Sequence, residues 1–218
     1  MTRQEELYLK QKALLDTFLE KGAITQAQYN KSFGDLTDKM GMAHLSGSTE
    51  KAYFAGGCFW CITPAFRNTE GVISVRSGYA GGTEADPAYE DVKEQRTGHR
   101  ETVCVTYDPK RVDFSELLNI YLHDVDPFDG EGQFIDRGFS YTLAVFYVSE
   151  LQKEKTEQAI TALEARYGKK ARISVVPYTT FYEAEEYHQD WDLKHPEAFE
   201  EELKSSGRKD RSTDIRLY

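Results

Sequence analysis

An α+β or α/β domain with a helical hairpin in front of it is what this sequence predicts, on three observations. Strand-like runs and amphipathic segments intermingle over residues 50–204, without internal repeats. Residues 1–45 carry only helical spacing. A short apolar run, Ala52-Tyr53-Phe54-Ala55, ends in Gly56-Gly57 and opens into Cys58-Phe59-Trp60-Cys61, the pattern of a strand, a tight turn and a helix start.

The elements follow in order. Leu7, Leu14, Leu15, Phe18 and Leu19 recur near helical spacing up to Gly22, and Thr25 caps a second helix carrying Ala27, Tyr29, Phe33, Leu36 and Met40. Helices this short need a partner surface. A packing appendage is the expectation, and a docking or dimerisation element the alternative. His44 to Glu50, with Ser46-Gly47-Ser48-Thr49, reads as a linker. Gly71 to Tyr79 is strand-like, Ala80-Gly81-Gly82 opens a loop, and Thr102 to Tyr107 is a strand halted by Asp108-Pro109. Cys104 lies inside that strand, where burial as a core thiol is the ordinary fate. Phe114 to His123 is helical, and Asp126 to Gln133 is a glycine-rich loop. Tyr141 to Val148 reads as a strand whose continuous apolar half predicts burial on both faces. Leu151 to Tyr167 is a helix closed by Gly168, and Ile173 to Pro177 another strand. Beyond Thr180 the chain turns aromatic and acidic, and residues 205–218 read as a polar tail, mobile over Ser205 to Thr213.

Composition narrows the function. With 218 residues the chain can bury a core without metals or disulfides, and a net charge of -10 disfavours nucleic acid or an anionic membrane surface as partner. No apolar stretch reaches membrane-span length and the first residues are charged, which points to a cytoplasmic protein. Neither a GxGxxG fingerprint nor a P-loop lysine is present, so no nucleotide cofactor is implied.

Chemistry concentrates at Cys58 and Cys61. A cysteine at a helix N-terminus faces unpaired N–H groups and the positive end of the dipole, which predicts a thiol more acidic than the usual pKa of about 8.5. Cys58 is thus a candidate nucleophile, and Cys61, three residues on, can close a small disulfide with it. Redox, zinc and structural roles all suit a bare CxxC. Phe59 and Trp60 suit the walls of an apolar substrate pocket better than the surroundings of a metal.

Several separated motifs complete the pattern: Gly57-Cys58-Phe59-Trp60, Gly78-Tyr79-Ala80-Gly81-Gly82, Pro87-Ala88-Tyr89, Thr97-Gly98-His99-Arg100-Glu101, Tyr107-Asp108-Pro109, Asp136-Arg137-Gly138-Phe139-Ser140-Tyr141 and Phe181 to Gln189. Together they resemble the peptide methionine sulfoxide reductase A family over roughly residues 50–200. The resemblance implies an α+β fold around a small mixed sheet and reduction of methionine (S)-sulfoxide, with a thioredoxin-type protein as final reductant. It puts the nucleophile on Cys58, the methyl-binding wall on Phe59 and Trp60, the acid on Glu101, and support for the sulfoxide oxygen on Tyr89, Asp136 and Tyr141. Many family members resolve the sulfenic acid with C-terminal cysteines. No cysteine follows Cys104 here, which leaves Cys61 as resolver, with Cys104 or an external thiol as alternatives. A general dithiol-disulfide oxidoreductase using Cys58 and Cys61 is the competing reading.

Overall fold

The computed structural model describes residues 3–42 and 49–208. Its strands are β1 (Glu50–Ala55), β2 (Val72–Ala80), β3 (Arg100–Tyr107), β4 (Gly132–Gln133), β5 (Asp136–Arg137), β6 (Ala144–Tyr147), β7 (Ser174–Pro177) and β8 (Phe181–Glu183). Six of them form one sheet in the order β7-β6-β1-β3-β2-β8, and β4 pairs with β5 as a separate small hairpin. Every pairing in the large sheet is antiparallel except β6 with β7. That parallel pair needs a crossover, which α6 (Glu150–Tyr167) supplies. The result is a mixed sheet of the α+β class.

The period-2 alternation of strands sorts side chains between the two faces. Phe54 stands opposite Val103 and Val145, on the face covered by α3 (Phe59–Arg67) and α5 (Phe114–Asp124). There its ring stacks on Phe66 at 5.0 Å and Tyr121 at 5.1 Å. Tyr53, one residue earlier, stands opposite Cys104 and Phe146 and belongs to a separate cluster on the reverse face. Cys104 is therefore a buried thiol on the far side of the sheet from α3. Leu143 to Phe146 are all buried, as their unbroken apolar run predicts.

The N-terminal helices, α1 (Arg3–Glu20) and α2 (Gln26–Met40), share a core with the sheet: Tyr8, Tyr29, Phe33 and Met42 cluster with Ile73 of β2. Thr25 and Gln28 form a capping box, and Gly41 ends α2 in the left-handed region at φ 63. A Cβ on Gly34 would lie 2.9 Å from the Ser74 Cβ, so α2 rests directly on β2. The buried Asn30 amide donates to the carbonyls of Arg67 at 3.0 Å and Thr69 at 3.1 Å, and Lys31 pairs with Asp190. Residues 44–48 of the expected linker lie outside the described residues, as does the tail from residue 209.

The structure departs from the sequence reading in three places. The strand expected from Tyr141 begins only at Ala144, because Phe139–Tyr141 coil into a 3₁₀ turn. The Gln95 side chain holds that turn from a distance, accepting from the Ser140 N–H at 2.9 Å and donating to its hydroxyl at 2.7 Å. Glu101 lies within β3 and is 2 % exposed, whereas the strand was expected to start after it. The aromatic, acidic stretch folds into β8 and two helices, α7 (Trp191–Lys194) and α8 (Pro196–Ser205), and Ser206 and Arg208 beyond them are buried.

Replacing Asn30 with Ala is expected to destabilise the protein by about 1–3 kcal/mol, because two buried carbonyls lose their donor. Urea denaturation checks this: the midpoint falls while the slope stays constant.

Candidate active site

The site begins where β1 ends. Gly57 has φ +79, and a Cβ there would lie 2.6 Å from the Gln133 Cβ and 2.7 Å from Arg208 Nη2, so the turn requires glycine on both conformational and steric grounds. Cys58 follows as the N-cap of α3, and the Cys61 N–H donates to the Cys58 carbonyl at 3.1 Å. The helix start that the sequence implies is present.

Glu101 meets that helix start from β3. Its Oε2 accepts the Phe59 N–H at 2.9 Å. Burial, chiefly, lifts its pKa to about 8, with Asp136 and Glu202 adding and the Phe59 bond and Arg208 opposing. At neutral pH the group is a carboxylic acid with a proton to give.

Around it stand the other predicted residues. Tyr89 opens α4 (Tyr89–Lys93) and is held by its N–H, which donates to Glu185 at 3.1 Å; the same carboxylate accepts the Tyr79 hydroxyl at 2.8 Å. Burial, then the charges of Glu101 and Cys58, raise the Tyr89 hydroxyl's pKa. Burial, Glu101, Tyr89, Asp136 and Cys58 do the same for Tyr141. Asp136, on the small β4–β5 hairpin, is raised by burial against the pull of Arg208. The structure thus brings Cys58, Cys61, Glu101, Tyr89, Asp136 and Tyr141 within electrostatic reach of one another around the start of α3.

The Cys58 thiol overturns one expectation. Its pKa lies well above the ordinary value, through a hydrogen bond with Cys61, then burial, then the charges of Cys61, Glu101 and Asp136. A helix N-terminus is worth roughly 0.3–1 kcal/mol, too little to outweigh desolvation among carboxyls. The Phe59 N–H is moreover directed at Glu101 and not at the thiol. Cys58 Sγ donates to Glu202 Oε1 at 3.8 Å.

Phe59 is buried, while Trp60 is half-buried with its ring stacked on Trp191 at 4.2 Å. His188 sits among these rings, with centroids 4.3 Å from Tyr89 and 5.2 Å from Phe59. It is 1 % exposed, neither ring nitrogen has a hydrogen-bond partner among the described residues, and burial lowers its pKa. His99, the other histidine near the motifs, is structural. One ring nitrogen meets the Glu84 carbonyl at 2.8 Å and the other the Gly82 N–H at 3.3 Å, which pins the glycine loop.

Sequence reasoning gave no role to Glu185, His188, Trp191, Glu202 or Arg208. The first two lie in a motif that was legible as a unit, though not residue by residue. Glu202 and Arg208 carried no local signal. Arg208 is 9 % exposed, lies over the Phe134 ring at 4.4 Å and comes within 3.9 Å of Asp136.

A family model described as peptide methionine sulfoxide reductase matches residues 50–216. The chain belongs to the peptide methionine sulfoxide reductase family. It is similar to the peptide methionine sulfoxide reductase MsrA of Halalkalibacterium halodurans, 47 % identical over 73 % of this chain and 92 % of that one. The MsrA of Streptococcus uberis is 42 % identical over 71 % and 93 %. Among solved structures, methionine sulfoxide reductase A of Corynebacterium diphtheriae superposes with a TM-score of 0.63 at 31 % identity, over 68 % of this chain and 76 % of that one. Reduced Mxr1 of Saccharomyces cerevisiae gives 0.65 at 27 %, over 68 % and 87 %. The N-terminal hairpin, α1 and α2, precedes the stretch matched by the reductase family model.

Titration checks the acid. A carboxyl whose folded pKa is raised loses stability for the fold as pH climbs above its unfolded value and through the folded one. Infrared spectra are expected to show a protonated buried carboxyl that disappears as pH rises through about 8 and is missing in Glu101→Gln. The same variant gains thermal stability relative to the unchanged protein at alkaline pH.

Proposed function

We propose that Cys58 attacks the sulfur of a methionine sulfoxide while Glu101 protonates the departing oxygen. The observation that carries this reading is Glu101, neutral at physiological pH and fixed by Phe59 one residue from the thiol. The chain is a methionine sulfoxide reductase, and these residues perform its chemistry. Phe59 and Trp60 receive the S-methyl group, with His188 and Tyr89 closing the same apolar box. Tyr89, Tyr141 and Asp136 steady the oxygen as charge builds on it.

A sulfur–sulfur bond forms between Cys58 and the substrate as the sulfoxide oxygen takes the Glu101 proton. The methionine sulfur–oxygen bond and the new sulfur–sulfur bond then break as the hydroxyl passes to Cys58 Sγ, so methionine departs from a Cys58 sulfenic acid and the thiol's proton replaces the one Glu101 gave. Cys61 then condenses with the sulfenic acid, forming the Cys58–Cys61 disulfide and water. A thioredoxin-type dithiol restores both thiols by exchange. The S epimer as substrate follows from the family resemblance. A cytoplasmic location fits the acidic charge, and among the described residues no helix is long and apolar enough to cross a membrane.

The competing reading, a general disulfide reductase, leaves Glu101 without a task. Thiol–disulfide exchange has no departing oxygen to protonate, whereas a buried carboxyl held at the start of α3 suits the oxygen of a sulfoxide.

Single-turnover reduction of a methionine sulfoxide peptide by pre-reduced protein tests the assignment. Two thiols are expected to disappear per methionine formed, with the disulfide mapped to Cys58 and Cys61. Cys58→Ser forms no methionine, Cys61→Ser forms one per molecule and stalls with thioredoxin as reductant, and Cys104→Ser keeps the two-thiol count. Glu101→Gln slows methionine formation by about 100-fold, the lower end for loss of a general acid. In the unchanged protein the rate falls as pH rises through about 8.

A further inference from the structure

The resolving step has its own proton problem. Cys61 must lose a proton to attack Cys58, and hydroxide, a poor leaving group, must gain one to depart from the sulfenic acid. Both events take place where the thiols are nearly sealed from water. One group that reached both sulfurs could take the first proton and return it as the second.

Glu202 has that reach. It projects from α8, and its carboxylate oxygen lies with Cys58 Sγ and Cys61 Sγ in a triangle of which no side exceeds 4.8 Å. It already accepts from Cys58 Sγ at 3.8 Å. Glu101 is occupied otherwise, since its Oε2 is bound to the Phe59 N–H and its proton belongs to the sulfoxide step. Two carboxyls in different surroundings is the arrangement by which one pocket runs separate proton transfers.

We propose that Glu202 is the proton shuttle of disulfide formation. This rests on Cys61 being the resolver. The Cys61 thiol proton passes to the Glu202 carboxylate, and the Cys61 sulfur bonds to Cys58 Sγ. The Cys58 sulfur–oxygen bond breaks, and the leaving hydroxyl takes the proton back from Glu202 as water. The carboxylate is regenerated, and the two electrons of the Cys61 thiol reduce the sulfenic sulfur.

The surroundings keep Glu202 able to exchange a proton. The charged and titratable groups acting on it are Asp136 of β5, Glu101 of β3, Cys58 at the start of α3 and Arg208 beyond α8. Burial and Asp136 raise its pKa, while Arg208 and the Cys58 hydrogen bond oppose them. Trp191 fixes the helix, stacked on Trp60 and edge-on to Phe199 one turn before Glu202. α8 itself carries no cysteine, so the helix that reaches the nucleophile brings a carboxylate and not a thiol.

Rapid-quench single turnover of the full chain with a methionine sulfoxide peptide separates the two steps, with methionine and disulfide measured in the same samples. Glu202→Gln is expected to lower the ratio of disulfide-forming to methionine-forming rate by about 100-fold, as loss of a proton-transfer group does. A Cys58 sulfenic acid trappable by dimedone then accumulates. Glu202→Asp recovers part of the ratio, and added formate restores disulfide formation to Glu202→Ala. A ratio that does not move in Glu202→Gln, with the disulfide formed normally in the unchanged protein, overturns the shuttle alone. Methionine formed by the unchanged protein without a Cys58–Cys61 disulfide overturns the resolver assignment and the shuttle with it.

Discussion

The site depends on one hydrogen bond, from the Phe59 N–H at the start of α3 to Glu101 Oε2 in β3, at 2.9 Å. It joins the helix carrying both thiols to the central strand carrying the acid. It also settles which group the helix end serves. Of the unsatisfied N–H groups that begin any helix, this one points at a carboxyl that burial keeps protonated, leaving the second oxygen free to donate. The thiol beside it stays neutral at rest. In the proposed reaction, substrate must therefore change the surroundings of Cys58 before attack, which would tie nucleophilicity to occupancy of the pocket.

Sequence made much of this legible, and the residues show why. Cys58, Phe59 and Trp60 stand in a row after paired glycines, so local pattern sufficed to place them at a helix start. The Thr25 cap of α2 and the burial of Leu143 to Phe146 follow from pattern just as directly. What failed depended on distant partners. Tyr141 has strand-like neighbours, yet Gln95, bonded to the adjacent Ser140 from 45 residues away along the chain, holds it in a turn. An acidic Cys58 was expected from helix position alone, and it is reversed by the hydrogen bond with Cys61 and by burial, with Glu101 and Asp136 of other strands adding to them. Glu202 and Arg208 look like ordinary charges in a polar C-terminal run, and only tertiary contact sets Glu202 beside the thiols and Arg208 beside Asp136.

Segments at both ends of the chain converge on the far end of α3. Arg67, its last residue and almost fully buried, pairs with Asp192 and Asp190, and Asp190 also pairs with Lys31 of α2. Removing one member of such a desolvated cluster leaves another charge uncompensated, so the cluster acts more as a positional lock than as a source of net stability. Its effect is to fix the helix whose opposite end holds Cys58. The hairpin of α1 and α2 and the α7–α8 pair are thereby coupled mechanically, although they sit at opposite ends of the sequence.

The alternation of β3 has a consequence for oxidation errors. Three thiols allow three pairings, and the proposed cycle through a sulfenic acid would expose the protein to the wrong one each time. The sheet stands between Cys104 and α3 like a partition, so a cross-link to Cys104 would require the strands to part. Accuracy in disulfide choice is thus a matter of topology rather than of relative reaction rates.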